Sequence, residues 1–208
     1  MLEWIRNQAS AGLIEYKGGD IFALSPAAIP VIDDEKHPGN LIGFFNHPTP
    51  PEALARIAEA FQTGLGPTYD DQGIQCACTI KRLTAPGHGM LPEFFKRADG
   101  LTERLEQGAK LIDVVCGTGD ALIILGKHFP NSTFVGIDPS AIAIEMAQKV
   151  AKEAGLTNVA FQVARAEELL QIPEFDVVIT LDCLHDMTFP ERAIAAIRGC
   201  IKPDGLWI

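Results

Sequence analysis

The sequence predicts an α/β fold: a mostly parallel sheet with helices on both faces, built from the C-terminal half of the chain. Three observations carry this. From residue 110 onward, short apolar runs (Leu111–Val115, Thr133–Ile137, Val159–Val163, Asp176–Leu181, Leu206–Ile208) alternate with segments of helical period. Strands that are apolar on both sides belong to a parallel sheet covered by helix layers. A glycine-bearing turn, Cys116-Gly117-Thr118-Gly119, joins the first run directly to a helix, and an acid, Asp138, closes the second run.

Taken in order, residues 1–26 read as a helix followed by a hairpin. Leu2, Trp4, Ile5 and Ala9 have helical spacing, and Lys17-Gly18-Gly19-Asp20 is turn chemistry between Leu13–Tyr16 and Ile21–Leu24. Residues 27–109 are poorly periodic and interrupted by Pro30, Pro38, Pro48, Pro50 and Pro51. A helix is expected over Glu52–Gln62, with Ala53, Ile57, Ala60 and Phe61 facing inward, and Gly64–Pro67 ends it. Leu91–Ala98 and Gly100–Glu106 read as two more short helices, and His88, inside Pro86-Gly87-His88-Gly89, as a loop residue that either covers the pocket or, as is commoner, is solvated. Beyond the first strand, Asp120 is expected to cap a helix running to His128. Ser140 caps one in which Ile142, Met146 and Val150 recur at i, i+4 and i+8, with Gly155 as its stop, and Pro190–Cys200 is the last helix.

Composition excludes several classes. The 208 residues are 47% hydrophobic and carry a net charge of −10, a globular balance rather than a disordered one. No apolar run is long enough for a membrane helix, and Glu3 and Arg6 fall where a signal peptide would need its apolar core. Five cysteines, an odd number, do not make a disulfide framework and point to a reduced, cytoplasmic protein. Cys76-x-Cys78 has no second pair at zinc spacing, so no metal is expected. The acidic balance argues against nucleic acid. The first 50 residues hold three Lys or Arg against six Asp or Glu, the wrong sign for a DNA surface.

The chemistry concentrates at the glycine turn. Glycine lets a ligand approach the backbone, and the helix beyond offers free N–H groups. A carboxylate at Asp138 can accept two hydrogen bonds from a ribose diol. The dinucleotide fingerprint would need a small residue where Leu122 stands, which favours another adenosine ligand. Asp113–Gly119, Gly136-Ile137-Asp138-Pro139-Ser140, Phe175-Asp176-Val177-Val178 and Lys202-Pro203-Asp204-Gly205, in this order, resemble the successive motifs of class I S-adenosylmethionine-dependent methyltransferases over residues 108–208. With the hairpin and His185-Asp186, the chain resembles the winged-helix branch, which includes regulator-like members and small-molecule O-methyltransferases.

The resemblance implies a Rossmann-like methyltransferase core at 110–208, a partial winged helix at 1–30, and a helical connector over the pocket at 31–109. It implies S-adenosyl-L-methionine as cofactor, a small-molecule methyl acceptor, and a homodimer in the full-length family. Val115, Cys116, Gly117 and Gly119 would border the cofactor's methionine part, with Asp113 beneath them. Asp138 would hold the ribose, flanked by Ile137 and Pro139. Ala166 and Glu167 would read the adenine, and Asp182 would face the methyl group. His185 would be the general base, with Asp186 either orienting it or capping the next helix. Val115 stands where the family carries Gly. The chain closes at Ile208, before the strands that complete the family's sheet, so truncation at both ends is expected. The alternatives are a non-catalytic cofactor-sensing regulator and an inactive fragment.

Overall fold

The computed structural model describes residues 1–34, 37, 39–40, 51–64, 66–171 and 175–208. Helix α1 (Leu2–Ser10) leads into a hairpin of β1 (Glu15–Gly18) and β2 (Ile21–Ala23), then the single turn α2 (Ile29–Ile32). Helix α3 (Pro51–Thr63) matches the expected segment, but its apolar face is not buried: Phe61 is 89% exposed and Ile57 is exposed too. Nothing among the described residues packs onto that face closely enough to cover it. Trp4 is likewise exposed. The prolines at 38, 48 and 50 lie outside the described residues.

The connector holds a helix that periodicity does not announce. Helix α4 (Gly73–Gly89) is 17 residues long and carries Pro86 near its end. Glycine and proline weaken a helix locally, so packing against the core decides the outcome. His88 therefore sits on a helix end, not on a loop, and Cys76 and Cys78 are helical residues, Cys76 buried. Two short helices follow, α5 (Leu91–Phe95) and α6 (Leu101–Gln107), and both place buried leucines in the core.

The core is a doubly wound sheet. Its strands are β3 (Lys110–Val114), β4 (Thr133–Asp138), β5 (Val159–Val163), β6 (Phe175–Ile179) and β7 (Ile201–Trp207). They lie in the order β5-β4-β3-β6-β7, all parallel. Helices α7 (Asp120–His128) and α8 (Ala141–Glu153) follow β3 and β4. A 3-10 turn (Ala166–Gln171) follows β5, and α9 (Pro190–Cys200) precedes β7. Side chains alternate along β3 as strand geometry demands. Leu111 faces the layer of Leu122, Leu125, Phe129 and Ile144, while Ile112 and Val114 face Leu169, Ala193 and Ile197.

The order reverses between β3 and β6, whose register pairs Ile112 with Val178. At such a switch point the loops leaving adjacent strands diverge and open a crevice at the strands' C-terminal ends. The glycine turn, Asp138 and His185-Asp186 sit at that end, whereas Asp176 and Lys202 pair at the opposite end of the strands, beside the first residue of β3. Gly119, with φ of +73°, closes the turn into α7 against the layer of Leu122 and Ile144, and a Cβ there would overlap the Phe161 ring. A Gly119→Ala variant should therefore lose about 2–3 kcal/mol, lowering the melting temperature by roughly 5–10 °C; an unchanged melting curve would contradict this packing.

Candidate active site

The crevice is a cavity of about 290 Å³. Its floor is the end of β3 and the glycine turn (Asp113, Val115, Cys116, Gly117, Thr118). One wall is the end of β4 with the start of α8 (Asp138, Ser140, Ile142), and the other is the loop after β6 (Leu181, Asp182, Cys183, His185, Asp186). The connector supplies the roof, through Tyr69, Asp70 and the face of α4 bearing Ala77, Ile80, Lys81, Leu83, Thr84 and His88.

Asp138 organises the floor. Its Oδ2 accepts the Gly117 N–H and its Oδ1 accepts the Ser140 N–H, both at 2.8 Å. Burial pushes its pKa up, and the two backbone donors oppose that. A carboxylate offers about four lone-pair sites, so two remain after these bonds. Ser140, held this way, turns its Oγ to accept the Ala143 N–H at 3.0 Å and caps α8, as expected.

Asp113 is fully buried beneath the turn, and its Oδ1 has no hydrogen-bond partner. Burial, reinforced by the nearby Asp138 charge, pushes its pKa up to about 8. An orphaned, buried carboxyl oxygen lining a cavity calls for a cationic or donor group from a ligand. Gly117 is open above its backbone: a Cβ there would meet nothing within 4 Å. Val115 adopts φ of +64°, a left-handed conformation natural to glycine and costly for a β-branched residue. The loop thus keeps the shape a glycine would give it, with an isopropyl group on the cavity floor.

The wall after β6 carries the second chemical cluster. Asp182 has φ of +54°, and the 3-10 turn Leu184–Asp186 presents His185. Its Nε2 lies 3.4 Å from Asp186 Oδ1 and its Nδ1 lies 3.8 Å from Asp182 Oδ1. Asp186 does not cap α9, whose first turn follows Phe189 without any side-chain cap; its other oxygen accepts the Tyr69 hydroxyl at 2.7 Å. Cys183 is no nucleophile: burial pushes its thiol up to about 12, and its Sγ donates to the Val114 carbonyl at 3.3 Å.

The structure thus brings Asp113, Val115, Cys116, Gly117, Asp138, Asp182, His185 and Asp186 to one cavity. The remaining candidates do not line it. Gly119 packs on Phe161, Ile137 is core, Pro139 faces solvent, and Ala166 is buried beside Glu167, which pairs with Arg165. The sequence reading missed Tyr69, Asp70 and Lys81, and for His88 it preferred a solvated loop to the place over the pocket that the residue takes. Lys81 Nζ pairs with Asp120 Oδ1 at 2.8 Å, and Asp120 Oδ2 accepts the Thr118 hydroxyl, so Asp120 anchors the turn to the connector and does not cap α7. His88 has a buried Nδ1 without a partner, and burial lowers its pKa. Only the proline–glycine context of His88 hinted at any of this.

Comparison with known proteins shows the family of the second half of the chain. A family model described as a methyltransferase domain matches residues 105–208, half of the chain. The chain belongs to this methyltransferase domain family. Residues 105–208 form a class I S-adenosylmethionine-dependent methyltransferase domain. A ubiquinone biosynthesis O-methyltransferase from Pasteurella multocida is 30% identical over 122 residues, covering 53% of this chain and 47% of that protein. The mitomycin 7-O-methyltransferase MmcR shares the fold over 99% of this chain and 63% of its own, with a TM-score of 0.72 at 18% identity. The [4+2]-cyclase SpnF aligns over 60% of this chain and 44% of its own, with a TM-score of 0.52 at 28% identity. The chain spans about half or less of the curated relatives it matches.

The residues fit the cofactor. Open backbone at Gly117, the orphaned Asp113 oxygen and the spare lone pairs of Asp138 suit a ligand with an ammonium group and a ribose. When bound, S-adenosylmethionine supplies an electrophilic methyl group on a sulfonium sulfur.

The raised pKa of Asp113 has a sign that can be checked. The folded chain holds a proton that the unfolded chain has already released, so stability falls as pH rises from about 4 to about 8, by at most about 1.4 kcal/mol per unit. Asp113→Asn should flatten this dependence in thermal melts across that window; a slope identical to wild type would contradict the buried, protonated carboxyl. Val115→Gly should tighten S-adenosylhomocysteine binding in calorimetry by removing both strain and bulk, and equal or weaker binding would dismiss that role for Val115.

Proposed function

We propose that this chain transfers the methyl group of S-adenosylmethionine to an oxygen of a small-molecule acceptor, with His185 as general base. The observation that carries the reading is the pairing of two features in one cavity: a cofactor-suited floor, and an imidazole between two carboxylates on the wall after β6. Methyl transfer is an in-line displacement, so the protein's main task is to hold the acceptor in line. The acceptor oxygen forms the new bond to carbon as the carbon–sulfur bond breaks, and the acceptor proton passes to His185. Ala77, Ile80, Leu83 and Leu181 give the roof and wall an apolar lining suited to a small organic acceptor and to excluding water. The similarity to an O-methyltransferase of Pasteurella multocida supports transfer to oxygen.

Under this reading Asp138 binds the ribose and Asp113 the cofactor's ammonium. Residues 1–30, a helix followed by a hairpin, are part of a winged helix. The exposed apolar residues Leu54, Ile57 and Phe61 of α3 belong to a homodimer contact, and DNA is no partner. Five free cysteines fit a cytoplasmic location, and among the described residues no helix is long and apolar enough to cross a membrane.

Calorimetry with S-adenosylhomocysteine tests the cofactor half. Binding at neutral pH should release about one proton as Asp113 ionises beside the ammonium, read from the dependence of heat on buffer ionisation enthalpy. Absence of binding by a cooperatively folded sample would overturn the reading in favour of an inactive fragment. Methyl transfer to a panel of phenols should fall at least about 100-fold in His185→Ala with cofactor affinity kept; undiminished transfer would remove His185 as base.

A further inference from the structure

Tyr69 lies 117 residues before Asp186 in sequence, and no family motif includes it. It is delivered by the connector between α3 and α4, at the head of the 3-10 turn Asp70–Gln72. That turn is pinned on both sides. Asp70 accepts from the Ser140 hydroxyl and, at 3.0 Å, from the Ala141 N–H at the start of α8. Asp71 pairs with Arg56 of α3 and accepts from the Thr68 N–H and hydroxyl, which pull its pKa down to about 2. Tyr69 therefore has little freedom, and its hydroxyl meets Asp186 Oδ2 while Asp186 Oδ1 faces His185 Nε2.

We propose that Tyr69 is a positioning residue for His185, acting through Asp186. The proposal rests on the reading of His185 as base. An aspartate that is half exposed on a loop samples several rotamers, and a weak, solvent-screened approach to an imidazole does not hold it in one. A phenol fixed from the opposite side does. It donates its proton to one carboxylate oxygen, a charge-assisted bond, and leaves the other turned to the ring. Burial and Asp186 itself push the phenol's pKa up, so the hydroxyl stays a donor at every physiological pH. The groups facing this arrangement are Asp182 and Asp186 on the loop after β6 and, from the Tyr69 side, Cys76 and Asp138 at longer range. The connector is thereby part of the catalytic apparatus as well as its cover: it sets the orientation of the base from outside the methyltransferase domain.

The test is a double-mutant cycle read on the imidazole of His185. Its carbon–proton cross-peak in the NMR spectrum is assigned by its loss in His185→Ala. At fixed pH, Asp186→Ala should displace that peak. Tyr69→Phe, which keeps the ring and removes only the hydroxyl, should displace it in the wild-type background and leave it in place in the Asp186→Ala background, where the phenol has no acceptor. No displacement by Tyr69→Phe, or equal displacement in both backgrounds, would overturn the proposal. A second measurement leaves Tyr69 intact. The chain has two tyrosines, so in a Tyr16→Phe chain the ultraviolet phenolate signal is that of Tyr69 alone. Its midpoint should drop on Asp186→Asn, and an unmoved midpoint would deny the contact. Methyl transfer by His185→Ala judges the base reading separately: transfer without His185 sinks that reading, whereas loss of transfer with no coupling to Tyr69 sinks only the present proposal.

Discussion

A single carboxylate holds the site together. Asp138 ends β4 and accepts one backbone N–H from the glycine turn after β3 and one from the entry to α8. The loops leaving the neighbouring strands β3 and β4 run side by side along the cavity floor, and a bond is needed to fix one against the other. Asp138 supplies it in both directions at once. Gly117 is thereby presented with open space above it, Asp113 is sealed beneath, and Ser140 is turned so that it caps α8 and meets Asp70. Asp70 in turn sets the place of Tyr69. The floor, one wall and the roof of the cavity all trace back to this residue.

The cost of the arrangement is electrostatic. Asp70, Asp113, Asp138, Asp182 and Asp186 all line the cavity, and the lysine in its lining, Lys81, is already paired with Asp120. Burial, with the Asp138 charge beside it, raises the pKa of Asp113, which keeps its proton. Such a cavity favours a ligand that brings positive charge with it. A sulfonium with an ammonium group does so, and loses one positive charge when the methyl leaves. Under the proposed reading, the same field would hold the product less tightly than the cofactor.

The methyltransferase half of the fold was legible because its signals are local. Buried parallel strands are apolar in sequence, Ser140 announces a cap, and Gly117, Gly119 and Asp138 have few other reasons to stand in that order. The expected strands and helices from residue 110 onward fall within a few residues of those observed, although β7 begins at Ile201, earlier than its apolar end suggested. The connector was illegible for the complementary reason. Helix α4 has glycine at both ends, threonines and an internal proline, and is stabilised by packing on α7 and α8, which no local pattern encodes. The roles of Tyr69 and Asp70 depend on partners 117 and 71 residues away. Glu52–Gln62 shows the opposite failure: a clear amphipathic period with no buried face to match it. At Val115 the sequence warned of a misfit, and the backbone accepted a left-handed conformation in place of reshaping the loop.

The central claim is that the cavity at the switch point is the S-adenosylmethionine site and that its carboxylates divide the cofactor between them. A crystal structure of the chain with S-adenosylhomocysteine tests this most directly. The account predicts the ribose hydroxyls on Asp138, the ammonium beside the Asp113 oxygen that now lacks a partner, and the sulfur directed toward the wall that carries His185. A ligand bound elsewhere, or bound with its ribose away from Asp138, would contradict it.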